Sequence, residues 1–312
     1  MLHTCERKYY FQYLAPARID SYDETLRKIA FLRKVTNIPM WRGKVFHSLI
    51  AEHLSEVRKG NKVQLNDLLT GYKQRMREQW KSSANNSFDI GNTIQENAFL
   101  LQEHLYKETV SENTLLDTIR DLEKRTEQFQ RWAEDTSFYA EVIQSPQVLI
   151  EPPTYSRETL SFNLDGVQII TKVDLVLASE GQFAIFDWKT SKPVRSARML
   201  PQVEFQAAVY QLCPHFKLGT PLNDISARFV YFMGNDFKQQ LFRIDENMRE
   251  YTLNLIRRSI SRMRYFDQID KNRTQLTLNE SPRFTLNDLD FAYSEKSCIY
   301  CPFKQICLRE LE

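Results

Sequence analysis

The residues best suited to chemistry lie in the middle of the sequence: Asp174, Asp187 and Lys189. Side chains two apart on a strand face the same side, so Asp187 and Lys189 point together out of the apolar segment Phe183–Thr190. The turn Ser179-Glu180-Gly181 folds that segment back onto the strand that carries Asp174. A hairpin centred on this turn places the two aspartates almost directly opposite each other.

Two opposed carboxylates require a compensating positive charge. At about 4 Å they repel by about 4 kcal/mol at an effective dielectric of 20. A divalent cation between them supplies that charge, and Mg²⁺ or Mn²⁺ held by carboxylates, waters and a phosphate is typical of phosphodiester hydrolysis. Lys189 would then orient the attacking water or stabilise charge on the phosphate. The competing interpretation is an edge strand whose aspartate and lysine simply face solvent, and the second aspartate in register argues against it.

The surrounding pattern predicts a mixed α/β fold. Helical periodicity begins near Gly43, continues through amphipathic helices, and gives way to strands and turns in the middle of the chain. From Gly43 the order is helix, helical insertion, three strands, helix, strand. The predicted strands are Thr159–Asn163, Val167–Ala178, Gln182–Trp188, Ile225–Met233 and Lys238–Ile244, and the predicted helix between them runs from about Pro201 to Leu212.

The aspartates and the lysine resemble motifs II and III of the RecB-like branch of the PD-(D/E)XK nucleases. The resemblance implies a restriction-endonuclease-like core, in which helices flank a mixed sheet, formed by one nuclease domain over residues 1–312. The segment 65–140 would be a helical insertion into that core. One departure concerns Thr171, since the family often has glycine three residues before the motif II aspartate, which puts the local backbone geometry in question.

Further motifs of the same branch occur in the family order. Gly43 to His47 resembles its G-x-x-x-H helix start, whose histidine is a metal ligand. Gln206 and Tyr210 resemble its Q-x-x-x-Y motif, which lies beside the active site and helps to hold the DNA strand. These two residues are four apart and therefore share a helix face. The resemblance thus implies a metal site formed by His47, Asp174 and Asp187.

The cysteines suggest a second metal centre. Cys298, Cys301 and Cys307 form a C-x2-C-x5-C pattern, and Cys5 stands alone near the N-terminus. Members of the RecB-like branch, including AddB-type and CRISPR-associated nucleases, hold a [4Fe–4S] cluster with one early and three late cysteines. The resemblance implies such a cluster, fastening residues 282–312 to Cys5. A link of this span would reduce chain entropy by the equivalent of roughly 5–6 kcal/mol. A zinc site remains the alternative, and Cys213 is predicted to be a buried bystander.

Composition limits the location and the partners of the protein. A net charge of only +2 excludes a general basic field, so a DNA surface must come from local clusters. Residues 1–8 lack the apolar segment of a secretory signal, and no apolar run reaches the length of a membrane span, so we expect a cytoplasmic protein that does not bind membranes. Tyr9, Tyr10 and Trp188 are candidates for stacking on single-stranded bases. The candidate phosphate contacts are Arg27, Lys28, Arg33, Lys34, Arg42, Lys44, Lys192, Arg195, Arg257, Arg258, Arg262 and Arg264.

Together these features predict a metal-dependent DNA nuclease, most simply an exonuclease on single-stranded DNA or DNA ends. A non-catalytic DNA-binding scaffold with the same fold is the second hypothesis, and a zinc-stabilised interaction protein is the third. The sequence contains no Walker A motif, so a helicase that acts with it would be a separate chain. DNA repair and CRISPR partners both remain open, as does the oligomeric state.

Overall fold

The computed structural model describes residues 5–14, 24–85, 99–150, 160–190, 202–233, 236–274, 296–299 and 301–309. A π-helix at Tyr10–Leu14 and a 3₁₀ turn at Leu222–Asp224 accompany the helices. The α-helices are α1 (Glu6–Tyr9), α2 (Glu24–Leu32), α3 (Ile38–Arg58), α4 (Leu65–Asn85), α5 (Gln102–Leu105), α6 (Glu112–Asp135), α7 (Phe138–Gln144), α8 (Gln202–Leu218), α9 (Glu246–Thr274), α10 (Lys296–Ile299) and α11 (Lys304–Arg309). The strands are β1 (Gln147–Ile150), β2 (Leu160–Leu164), β3 (Val167–Thr171), β4 (Leu175–Ser179), β5 (Gln182–Lys189), β6 (Ile225–Met233) and β7 (Asp236–Phe242).

A five-stranded mixed sheet organises the centre of the chain, in the order β1-β4-β5-β6-β7. Strands β4 and β5 are antiparallel, β5 and β6 are parallel, and β6 and β7 are antiparallel. Helix α8 connects β5 to β6, as a parallel crossover requires, and packs against the sheet. The predicted mixed α/β class is therefore confirmed.

The hairpin turns were readable from local sequence. Glu180 and Gly181 both have positive φ, as do Asp165 and Gly166, which is the geometry of a tight two-residue hairpin turn. The β4–β5 turn sets a register in which Leu175 pairs with Phe186. The ladder ends at that pair, and Asp174, one residue before β4, donates its backbone N–H to the carbonyl of Phe186 at 3.2 Å, so the predicted pairing of the two strands is confirmed but Asp174 lies outside the regular register.

The predicted strand Val167–Ala178 is wrong, because it is two strands in two different sheets. Strand β3 pairs only with β2 in a separate hairpin, and β4 joins the main sheet. The chain bends at Asp174, between β3 and β4. One carboxylate oxygen of Asp174 contacts His47 and the other accepts the backbone N–H of Trp188. The pattern also missed β1, which pairs with β4, and set the last strand two residues too late.

The chain divides into two compact units. One comprises residues 1–40, 77–114 and 258–312, and the other residues 41–76 and 115–257. The first has a core built mainly from the π-helix, α2 and the C-terminal segment, with Phe11 and Phe303 in ring contact. The second has an aromatic core on one face of the sheet, formed by Phe46, Phe129, Trp132, Phe138, Phe186, Trp188 and Phe232. Within the described ranges no helix is long and apolar enough to cross a membrane.

Candidate active site and cysteine cluster

Asp187 is the centre of a polar cluster on the face of the sheet opposite the aromatic core. It lies near the end of β5 and is only 5% exposed. Its Oδ1 lies 2.7 Å from Nζ of Lys189, two residues further along the same strand. Its Oδ2 accepts hydrogen bonds from Oη of Tyr210 at 2.8 Å and from Nε2 of Gln206 at 3.1 Å. A buried carboxylate is thus held by three donors from two elements.

Gln206 ties the lysine to the aspartate. Its side-chain oxygen accepts a hydrogen bond from Nζ of Lys189 at 2.8 Å, while its amide nitrogen donates to Asp187. Gln206 and Tyr210 are one turn apart on α8, which packs on this face of the sheet. The aromatic ring of Phe229 on β6 lies under the ammonium group, 4.8 Å from Nζ, and so confines Lys189 further.

Asp174 is the second carboxylate, and it brings in His47. Its Oδ1 is 2.6 Å from Nδ1 of His47, and its Oδ2 accepts the backbone N–H of Trp188 at 2.6 Å. His47 lies on α3, one turn after Gly43, where an added Cβ would stand 3.4 Å from Oγ1 of Thr190. That distance is an ordinary van der Waals contact, so α3 lies against the end of β5 without requiring glycine at position 43.

Burial and the close approach of the two aspartates shift the pKa values of the groups in this cluster. Burial, followed by the charge of Asp174, raises the pKa of Asp187, although Lys189 and His47 oppose the shift. Burial lowers the pKa of His47, but the charge of Asp174 and the hydrogen bond to it outweigh burial and raise the pKa overall. Burial and the nearby Asp187 raise the pKa of Tyr210 well above its usual value, so its hydroxyl remains a donor.

The donor chemistry of His47, Asp174 and Asp187 fits a hard divalent cation, since carboxylates are the ligands that Mg²⁺ and Mn²⁺ prefer. In the described part of the chain, however, no three His, Cys, Asp or Glu side chains converge on one point as metal ligands would. The reason is visible in the contacts above: each carboxylate oxygen is turned toward a protein donor. An ion would have to displace some of these donors, or use the lone pairs that they leave.

One predicted DNA contact is wrong and several others are offset by acidic partners. Trp188 is only 1% exposed and lies in the aromatic core, so it does not stack on a base. Three of the candidate arginines form ion pairs within the protein, namely Arg42 with Asp121, Arg257 with Asp165 and Arg262 with Glu6. Lys192 and Arg195 lie outside the described residues.

Sequence reasoning missed Phe229 and Tyr231, which line the same face as Lys189. In the parallel pairing of β5 with β6, Asp187 is aligned with Phe229 and Lys189 with Tyr231. Phe229 and Tyr231 are two apart on a predicted strand, so the sequence placed them on one face of it. The sequence did not show that this strand pairs with β5. Burial and the charge of Asp187 raise the pKa of Tyr231 to about 12.

The four cysteines of the predicted cluster all belong to the first compact unit. The sulfur of Cys5 accepts the N–H of Lys8 at the start of α1, at 3.3 Å, and the sulfur of Cys307 lies 3.9 Å from Nη1 of Arg7. Burial raises the pKa of Cys301 to about 11, and Cys5 and Cys307 add to the shift. Burial likewise raises the pKa of Cys307, with contributions from Cys5 and Cys298. The thiols are thus close enough to influence one another, though not arranged around a point.

Cys213 is separate from this group. It is fully buried on α8 next to the hydroxyl of Thr171, with 3.3 Å between sulfur and oxygen, and burial raises its pKa to about 11. This agrees with its prediction as a buried bystander.

Comparison with known proteins assigns the family. Residues 1–308 match the family model of the PD-(D/E)XK nuclease superfamily, so the chain belongs to that superfamily. Two similar solved structures are a Eubacterium rectale protein named "Putative exonuclease" and a protein named SSO0001. The first is 15% identical over 69% of this chain and 65% of its own, less than two thirds, with a TM-score of 0.35. The second is 16% identical over 79% and 97%, with a TM-score of 0.30. A search of curated proteins finds no match.

Proposed function

We propose that the protein is a Mg²⁺- or Mn²⁺-dependent deoxyribonuclease, acting as an exonuclease on single-stranded DNA or DNA ends. The observation that supports this most strongly is the convergence of Lys189, Gln206 and Tyr210 on the buried carboxylate of Asp187. Membership of the nuclease superfamily, whose members typically use Mg²⁺ or Mn²⁺, agrees with it.

The residues divide into metal ligands and positioning groups. His47, Asp174 and Asp187 would hold the ion, which supplies an activated water and neutralises charge on the phosphate. The ammonium group of Lys189 lies 2.7 Å from Oδ1 of Asp187. It would orient the water or stabilise the developing negative charge. Gln206 and Tyr210 hold both groups in place and would help to position the DNA strand.

A catalytic role accounts for this cluster better than a scaffold role does. Burying a carboxylate beside another carboxylate is costly unless the charges are paired, and hydrophobic residues of similar size would stabilise a scaffold equally well. The cluster instead combines two carboxylates, a histidine, a lysine, a glutamine and a tyrosine, all in one compact unit.

We further propose that Cys5, Cys298, Cys301 and Cys307 bind a [4Fe–4S] cluster that fastens residues 282–312 to the N-terminus of a single nuclease domain, 1–312, with a helical insertion at 65–140. Thiolates are the ligands that such a cluster requires. The buried guanidinium of Arg7, 3.9 Å from the sulfur of Cys307, supports a site that carries negative charge. A DNA-repair or CRISPR protein, or a separate helicase, would be the partner.

The first experiment follows end-labelled single-stranded and duplex DNA with Mg²⁺ or Mn²⁺. Wild type should degrade the DNA, and Asp187→Ala should not. Asp117→Ala is the matched control, because Asp117 is exposed on α6 and forms an ion pair with Arg120 of the same helix. Single-nucleotide products from one end would support the exonuclease assignment. A folded, cluster-loaded wild type that leaves DNA intact would favour the scaffold hypothesis.

The second experiment measures visible absorbance and bound metal in protein purified without oxygen. A broad visible shoulder with about four irons per chain is expected for a [4Fe–4S] cluster. Cys298→Ser should abolish the shoulder, whereas Cys213→Ala should retain it. A colourless protein with stoichiometric zinc would overturn the iron–sulfur assignment.

A further inference from the structure

Tyr231 carries a buried hydroxyl that no contact explains. The residue is 1% exposed, and its Oη has no hydrogen-bond partner among the residues that the structure describes. Buried polar groups without partners are rare in folded proteins, and each one calls for an explanation. A phenylalanine at this position would bury no unpaired hydroxyl. The Tyr231 hydroxyl is therefore expected to donate to a bound ligand.

The strand register directs Tyr231 toward the active site. Lys189 and Tyr231 are aligned in the parallel β5–β6 pair, so their side chains leave the same face of the sheet. Asp187 is close enough to raise the pKa of Tyr231 electrostatically, after burial. Both oxygens of Asp187 already have donors, so a second acceptor is needed for the Tyr231 hydroxyl. At neutral pH that hydroxyl is protonated and can donate.

Lys238 on β7 lies next to Tyr231 on the same face of the sheet. Tyr231 pairs with Lys238 in the antiparallel β6–β7 pair, so the lysine leaves the same face. Lys238 is exposed and forms no ion pair within the described ranges. The nearest acid on that face of β7, Asp236, accepts the amide N–H of Phe237. Lys189, Tyr231 and Lys238 thus form a row across three strands, spanning two strand spacings or roughly 10 Å.

We propose that Tyr231 and Lys238 form a phosphate-binding subsite that holds a phosphodiester of the nucleic-acid strand adjacent to the one at Asp187 and Lys189. Phosphate oxygens can accept from both groups: the ammonium group of Lys238 is exposed, and the hydroxyl of Tyr231 becomes reachable when the side chains that cover it move aside. Such contacts set the register of a strand without reading its sequence. The subsite rests on the proposed nuclease function and extends it, because it defines where the strand lies on the sheet.

Binding of a fluorescein-labelled single-stranded oligonucleotide tests the subsite. Anisotropy is recorded with Ca²⁺ in place of Mg²⁺, and gel analysis checks that the probe stays intact. Tyr231→Phe should weaken binding about tenfold, the size expected for a hydrogen bond to a charged group. Lys238→Gln should weaken binding and make the salt slope shallower by about 0.7, the contribution of one phosphate on a single strand.

Matched controls separate the subsite from general charge and hydroxyl effects. Lys62→Gln makes the same charge change in the loop beyond α3, roughly 16 Å of helix past His47. Tyr251→Phe removes a hydroxyl from a tyrosine that is 48% exposed. Neither control should alter the affinity more than twofold, since neither side chain belongs to the row.

A set of probes with one neutral methylphosphonate linkage at successive positions gives the decisive result. In wild type one linkage beside the cleaved bond should weaken binding, and in Tyr231→Phe/Lys238→Gln the same replacement should have no further effect. A purely structural Tyr231 would not couple to one linkage. Wild-type cleavage without such coupling would overturn the subsite and leave the nuclease proposal intact. A folded wild type that neither binds nor cleaves DNA would overturn both.

Discussion

Tyr210→Phe removes from the candidate active site a hydroxyl that donates to Asp187 and accepts from Nε2 of Gln206. The substitution keeps the buried ring and removes the hydroxyl that donates to Oδ2 of Asp187 at 2.8 Å. Hydrogen bonds to charged groups contribute about 1.5–3 kcal/mol. Because Gln206 still donates to the same oxygen, we expect the lower end, about 1.5 kcal/mol, in the free energy of unfolding.

Urea unfolding followed by tryptophan fluorescence measures this loss where it occurs. Trp41, Trp132 and Trp188 all belong to the compact unit that contains the site, so the signal reports mainly on that unit. The midpoint should fall without a change in the slope m. On the proposed function, kcat/KM for DNA cleavage should fall about tenfold, because Asp187 loses a positioning contact.

Two further variants make the reasoning refutable. Tyr251→Phe should change neither stability nor cleavage. Gln206→Leu combined with Tyr210→Phe should be non-additive, since both donors share Oδ2 of Asp187. Unchanged stability in Tyr210→Phe would show that the bond contributes nothing, and lower stability with unchanged kcat/KM would assign it a structural role alone.

The remaining predictions concern the core, pH and the cysteine cluster. Trp188→Ala should lower the free energy of unfolding by about 3–5 kcal/mol, because it leaves a cavity in the aromatic core; in urea unfolding, a loss below 1 kcal/mol would contradict this packing. Burial lowers the pKa of His53 below 6.5, so its contribution to stability is present above pH 6.5 and is lost as the pH falls from there toward the pKa of the folded state. His53→Gln should therefore flatten that part of a curve of unfolding free energy against pH. An unchanged slope would refute the assignment. Arg7→Ala should lower the metal content per chain, measured by elemental analysis. Arg7→Lys should be intermediate, because it keeps the positive charge near Cys307 but loses the planar guanidinium. Full metal loading in Arg7→Ala would exclude a role for the guanidinium.

Sequence alone determined the features that depend on neighbouring residues along the chain. Turn residues that adopt positive φ at Glu180 and Gly181 set the β4–β5 register, which runs to the Leu175–Phe186 pair and so brings Asp174 next to the strand of Asp187. Helical periodicity placed Gln206 and Tyr210 on one face of α8. These predictions held because local backbone preferences and short-range periodicity act within a few residues.

Only the tertiary structure decided the features that depend on distant partners. It brings His47 to Asp174 across 127 residues, a proximity that the family resemblance implied but no local pattern did, and it interrupts the predicted strand Val167–Ala178 at residues 172–174. It buries Trp188, which strand alternation places on one of two faces without saying which face meets the aromatic core. It also sets Tyr231 beside Lys189, because the partner of a parallel strand is chosen by packing of the crossover helix and not by any local signal.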